Sequence, residues 1–330
     1  MQRIITLDII KTIAIFVVII AHLLFLYEDE ITIMRTFNTI ISCIGVPLFM
    51  CTSGALILKK KLNNWENIKN FYTHNLLSIV LTGELWIIIY YIINTNSFSI
   101  KELVFNIIFI YKPEIHLWYI RMICMYYIAM PFISYLHKKE TLTIAVISII
   151  FCITFLYNGY LIYEGEIFPT TPGLSYTCYL LYLLGGYYIS SRKTRSINIY
   201  IIIATLTISI MLLFYTHNKN HYMVWYDNPF ILIISLSLFE LIYRKTENFK
   251  ITPQSKHIIN IISDISSMSF GIYLSHMIFI IIARHYFTHL NNDIDIIIYL
   301  IALIILLLSI LLIKITKKIN SKLAYIIFRY

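Results

Sequence analysis

The chain has 330 residues, of which 59% are hydrophobic and 13% charged, with a mean hydropathy of +0.77. A soluble domain carries roughly twice that charged fraction, so an ordinary globular fold is excluded. A single all-α, polytopic membrane domain over residues 1–330 is expected. The net charge of +9 raises nucleic acid as a partner, and only the placement of the charges decides that point.

Apolar runs of spanning length, about 17 to 25 residues, fall near 5–27, 39–58, 75–93, 117–136, 141–158, 175–190, 198–215, 228–243, 268–284 and 294–314. That predicts about ten transmembrane helices and a short tail over 315–330. The sixth and ninth runs are short and call for tilt or local thinning of the bilayer. The first run carries Asp8 and Lys11 and lacks a small-residue cleavage site, so it is not read as a signal peptide. FNIIFIY (105–111) is too short to span and reads as an interfacial helix. NGYLIYEGEIFPTTPG, with its Gly and Pro breakers, reads as a loop or re-entrant element. No internal repeat of the inverted-repeat kind is visible. The five cysteines lie within or beside apolar runs without metal-type spacing, so neither a disulfide framework nor a metal site is expected.

Lysine and arginine alternate from loop to loop. One set of loops holds Lys59, Lys60, Lys61 and Lys69, then Lys138 and Lys139, then Arg192, Lys193 and Arg195. It continues with Arg244, Lys245, Lys250 and Lys256, and with Lys314, Lys317, Lys318, Lys322 and Arg329 in the tail. The other set holds most of the acids, including Glu28, Asp29, Glu30, Glu164, Glu166 and Asp227. The positive-inside rule therefore puts both termini in the cytoplasm. Basic residues spread along a membrane face do not make a nucleic-acid groove.

Ionisable residues inside the apolar runs are the candidates for function, because hydrocarbon penalises them by several kcal/mol unless they face a cavity or one another. Lys11 and His22 are eleven residues apart on one face of the first helix, about 16 Å along its axis, and Asp8 precedes them. Glu84, Arg121 and His276 fall in the third, fourth and ninth runs. Each has a structural alternative. Asp8 and Lys11 could snorkel to headgroups, Glu84 could pair with Arg121, and a buried imidazole is often a satisfied packing residue. Taken together, two His, one Glu, one Arg and one Lys suggest a shared polar cavity. Lys11, toward the cytoplasmic face, could meet a phosphate as a point charge. His22, three turns further on, could take a proton from a hydroxyl or be acylated itself.

Five segments in order resemble acyltransferase family 3, membrane proteins that O-acylate bacterial surface polysaccharides and other acceptors. They are Arg3, Asp8, Lys11 and His22; Gly45-Val-Pro47 with Ser53-Gly54; and His116-Leu-Trp118-Tyr119 with Tyr126 or Tyr127 and Pro131. Tyr179-LLYLL-Gly185-Gly186 and Ser269-Phe270-Gly271-Ile-Tyr273-Leu-Ser-His276 complete the set. Two departures stand out. Lys11 replaces the family's arginine, which keeps charge but loses the bidentate fork. Where many members carry Arg-x-x-Arg, this chain reads FYTHNLLS, with His74 the only basic candidate and Asn75 and Ser78 at the likely places.

The resemblance implies a standalone transferase of the bacterial cytoplasmic (inner) membrane, without the SGNH domain of some members. Acetyl-CoA would be the donor substrate. The acceptor would be a hydroxyl on a surface glycan such as lipopolysaccharide O-antigen, or on a lipid-linked oligosaccharide. His22 would be base or acyl carrier, with Asp8, Glu84 and His276 as further catalytic or supporting groups. Lys11 and His74 would contact the donor, and His116, Trp118, Arg121, Ser269 and Tyr273 the acceptor. Pro47 and Ser53-Gly54 are read as structural, since small residues let helices approach closely. Membrane lipid is the expected surrounding, and no metal is expected. A glycan or small-anion transporter, or flippase, would use the same buried charges without a covalent step. A non-catalytic partner in glycan assembly is a third class, for which His22 would be dispensable.

Overall fold

The computed structural model describes residues 5–24, 33–94, 99–107, 115–136, 142–143, 145–147, 149–150, 153, 177–192, 198–220, 225–246, 249, 252–287 and 294–330. Among the described residues there is no strand. In chain order the helices are α1 (Ile5–Leu24), α2 (Ile33–Ser42), α3 (Gly45–Ile57), α4 (Trp65–Phe71), α5 (Leu77–Asn94), α6 (Ile100–Ile107) and α7 (Trp118–Leu136). They continue as α8 (Cys178–Ser191), α9 (Ile199–Asn220), α10 (Pro229–Thr246), α11 (Pro253–Phe287), α12 (Ile294–Ile319) and α13 (Ser321–Phe328). A π turn (Tyr72–Leu76) joins α4 to α5, and a 3₁₀ turn (Ile115–Leu117) leads into α7.

Five stretches are long and apolar enough to cross a membrane: Ile5–Leu24, Ile33–Ile57, Trp65–Asn94, Pro253–Arg284 and Ile297–Ile319. Ten were expected. Helices α7 to α10 coincide with four more expected spans but are shorter or more polar; α8 has only 14 residues, about 21 Å. The run at 141–158 lies mostly outside the described residues.

Three elements depart from the hydropathy reading. The third helix starts ten residues early, because Asn64 caps it by accepting from the Asn67 amide at 2.9 Å. The ninth, expected over 268–284, is the 35-residue α11. At about 52 Å it is longer than the roughly 30 Å hydrocarbon core. Its first turns are polar because they serve α1: Ser263 and Ser266 donate to the Asp8 carboxylate at 3.2 and 2.6 Å. The segment expected as a short tail is helical and docked. Asn320 caps α13, Phe328 is buried, and Thr82 and Trp86 donate to the carbonyls of Ile326 and Ile327 at 3.1 and 2.7 Å.

Helix α1 sits at the centre, packed against α2, α3, α10, α11 and α12. It is buried nearly throughout its length, as its apolar sequence on all faces requires. Helices α3 and α8 make the closest crossing. A Cβ on Gly54 would overlap the backbone carbonyl of Leu183, and one on Gly186 the carbonyl of Cys51. The Ser53-Gly54 and Gly185-Gly186 segments are thus two halves of one contact, the close approach that small residues permit. Cys43, Cys51, Cys124 and Cys178 are buried and form no disulfide with one another.

Helix directions follow from paired contacts. Asp8 meets Ser266 and His22 meets His276, so α1 and α11 run parallel. Helices α7, α8 and α10 begin together, where Trp118 touches Tyr179 and Tyr226 at 5.8 and 5.6 Å. That end of the bundle also holds His22. The other end holds Asp8, Lys11, Lys60 and the start of α5.

Candidate functional site

Three imidazoles converge at the end of α1. The ring centroid of His22 lies 5.2 Å from that of His276 on α11 and 5.9 Å from that of His116 on the 3₁₀ turn. His116 and His276 are 5.3 Å apart. Both are fully buried at 0% exposure, whereas His22 keeps a partly exposed edge. Of the three, only His22 keeps any appreciable exposed surface.

The rings are fixed by their neighbours. His276 Nδ1 lies 3.1 Å from the Ile272 carbonyl, which only an N–H can satisfy, so the basic nitrogen is Nε2. Neither His276 Nε2 nor His22 Nδ1 has a hydrogen-bond partner. A buried polar atom without a partner costs about 1–3 kcal/mol, and such exceptions mark sites kept open for chemistry or a ligand. Tyr90 packs edge-on to His116 at 5.0 Å and donates to the Leu274 carbonyl at 2.7 Å. The Tyr273 hydroxyl donates to the His116 backbone carbonyl, so it ties α11 to the start of α7 and does not orient His276 directly. Among the described residues, no three His, Cys, Asp or Glu side chains are set to grip a metal ion.

A cavity of about 220 Å³ lies beside α1, and none of the three histidines is among the residues that line it. Tyr119 and Tyr273 line it near the histidines; Tyr273 lies 5.6 Å from His116 and 6.0 Å from His276. Val18, Phe49, Ser53, Ser269 and Phe270 line its length, and Lys11 is the one charged residue on its wall. Val18 and Lys11 are one and three turns below His22 on the same face of α1. The Asp8 carboxylate, at the foot of this face, is buried and clamped by Ser263 and Ser266.

The five ionisable groups inside the spans therefore do not share one cavity. His22 and His276 stand in the histidine cluster and Lys11 in the cavity wall. Glu84 on α5 interacts electrostatically with Arg121 on α7, and neither lines the cavity. His74 is exposed on the π turn, with Nδ1 3.0 Å from the Asn70 carbonyl. Trp118 is partly buried in an aromatic group with Tyr119, Tyr179 and Tyr226. The sequence reading gave Tyr119 only as part of a family motif and Arg329 only as a tail cation, and it did not single out Tyr90 or Tyr226 for the site. Tyrosine is too frequent here, at 27 residues, for any one of them to stand out. Arg329 looked like any other cation of the basic tail.

The structure thus sets a buried histidine cluster beside a cavity whose wall carries Lys11 and Tyr273, within a bundle of apolar helices of membrane-spanning length. The family comparison makes that specific: a family model described as an acyltransferase domain, that of acyltransferase family 3, matches residues 4–315. The chain belongs to this family and is a membrane acyltransferase. No curated protein and no solved structure matches it.

Proposed function

We propose that this acyltransferase moves an acetyl group from cytoplasmic acetyl-CoA to a hydroxyl of a surface polysaccharide or lipid-linked glycan, the O-antigen of lipopolysaccharide being one such acceptor. It would sit in the bacterial inner membrane with ten crossings and both termini cytoplasmic. The observation that carries the reading is the cavity wall that leads from Lys11 to Tyr273, which touches His116 and His276 beside His22. The helix directions support the topology: α1 and α11, the first and ninth expected spans, are parallel, as odd-numbered crossings must be.

In this reading the donor's thioester enters from the lysine end and reaches His22, while the acceptor approaches the exposed edge of His22 from the opposite end. As the acceptor oxygen attacks the thioester carbonyl carbon, His22 takes the hydroxyl proton. The C–S bond then breaks, and the thiolate leaves with a proton returned by His22. If His22 is acylated first, the same atoms move in two steps through an acyl-imidazole. His116 and His276 hold the His22 ring in place. Trp118, at the acceptor end, offers an aromatic face to a sugar.

The test is mass spectrometry of surface glycan from a deletion strain complemented with wild type or His22→Ala at equal membrane levels. Wild type should restore a fixed acyl mass on the sugar, and His22→Ala should not. Loss or intracellular trapping of glycan with unchanged acylation would replace the transferase reading with transport.

A further inference from the structure

Tyr273 stands between the cavity and the histidines. Its ring lines the cavity on one side and lies 5.6 Å from His116 and 6.0 Å from His276 on the other. It belongs to a row of four rings in contact, all of them on the cavity wall. Phe49 on α3 lies 6.4 Å from Tyr119 on α7, and Tyr119 lies 5.5 Å from Tyr273 on α11. Phe270 stacks on Tyr273 at 6.4 Å, with 18° between the ring planes. Val18 of α1 and Val46 of α3 line the same wall, where the two helices are so close that a Cβ on Gly45 would meet Val18 Cγ2 at 2.8 Å.

The row has a definite height in the bundle. Helices α1 and α11 run parallel, so Val18, one turn before His22, and Tyr273, one turn before His276, stand level with each other. Lys11 is two turns lower on α1. The row therefore separates the lysine end of the cavity from the histidines, and this is why the cavity stops short of all three imidazoles.

The rings differ in their freedom to move. The Tyr273 hydroxyl donates to the His116 backbone carbonyl, and the Tyr119 hydroxyl reaches the Ser53 side chain on α3. A tethered ring swings aside only by breaking its bond. Phe49 and Phe270 carry no polar atom and are half-buried, so their bulk alone sets the width beside the two tyrosines. A close-packed interior resists added methylenes, and an apolar pocket discriminates one methylene by about 10–200-fold.

We propose that Phe49, Tyr119, Phe270 and Tyr273 form an acyl-size filter that passes the acetyl group of a thioester donor toward His22 and turns back chains of butyryl length and above. This rests on the acyl-CoA reading above. An acetyl thioester is small and uncharged and fits between aromatic faces, whereas a longer chain has to displace a ring. The four rings select the acyl group and take no part in bond making at His22.

The experiment uses the full chain in phosphatidylcholine nanodiscs, with acetyl-, propionyl-, butyryl- and hexanoyl-CoA as donors and surface glycan from the deletion strain as acceptor. Mass spectrometry reads the acyl group transferred. Wild type should move acetyl at least about tenfold faster than butyryl. Phe49→Ala and Phe270→Ala should each raise the butyryl-to-acetyl ratio about tenfold or more, and Phe49→Leu, a smaller truncation, should shift it the same way by less. Phe239→Leu alters a buried ring of α10 that does not line the cavity and should keep the wild-type ratio. Acetyl transfer with an unchanged ratio in either alanine variant would overturn the filter alone. So would equal loss from all four donors alongside a lower melting temperature, which would make the rings packing residues only. Butyryl transfer by wild type as fast as acetyl would also overturn it. If wild type transfers from none of the four donors, the acyl-CoA reading itself falls.

Discussion

The two ends of the central helix are built on opposite principles. Around Asp8 and Lys11 the structure spends directed hydrogen bonds freely: Ser263 and Ser266 clamp Asp8, Thr12 donates to the Ile262 carbonyl at 3.1 Å, and Lys60 and Arg329 are pinned to the π turn. Around His22 the groups touch mainly ring against ring, and His22 Nδ1 and His276 Nε2 are among the buried nitrogens without a hydrogen-bond partner. An end that holds a ligand needs its polar groups fixed before the ligand arrives, since ordering them on binding would subtract from affinity. An end that moves protons needs lone pairs that are not already engaged. In the proposed mechanism the same helix serves both, with three turns between the two tasks.

His22→Ala should give the largest effect, a loss of about 10²- to 10⁴-fold in acyl transfer with coenzyme A affinity retained, measured on purified protein in nanodiscs. Equal loss of both would erase the distinction between the ends. Asp8→Asn removes a carboxylate held by two serine hydroxyls. It should cost about 1.5–3 kcal/mol, the scale of a hydrogen bond to a charged group, read as lowered thermal stability with altered coenzyme A binding.

Asp227, just before α10, has its carboxyl pushed up to about 6 by burial, from an ordinary 3.8. The folded form then binds its proton more tightly than the unfolded chain does. Its stabilising contribution is present below about pH 4 and lost as pH rises through 6. Asp227→Asn should therefore stabilise the protein at pH 7 by on the order of 1–3 kcal/mol and flatten the change in melting temperature between pH 4 and 7. An unchanged profile would show that the carboxylate is already compensated. Trp86→Phe removes the indole N–H bonded to the Ile327 carbonyl and should cost about 1 kcal/mol. Because that bond docks α13 against α5, the loss should be read as a lower melting temperature.

Much was legible in the sequence because the bilayer imposes it. The apolar runs, the loop-by-loop alternation of charge and the isolation of Lys11 and His22 on one helix face all follow from the cost of charge in hydrocarbon. The ordered motifs were enough to name the family. Hydropathy failed where a polar segment earns its helix through partners elsewhere: the first turns of α11 are polar because Asp8 needs their serines, and α13 looks like a tail until Trp86 and Gly271 receive it.

By itself, then, the sequence determined an all-helical membrane chain, its family, and the placing of Lys11 and His22 on one face of α1. Only the tertiary structure decided that His116 joins His22 and His276, that Glu84 and Arg121 stand apart, and that Arg329 returns to His74. Periodicity reports which face of a helix is apolar. It carries no information on which of several apolar faces will meet, because helix packing depends on the shapes of two surfaces at once.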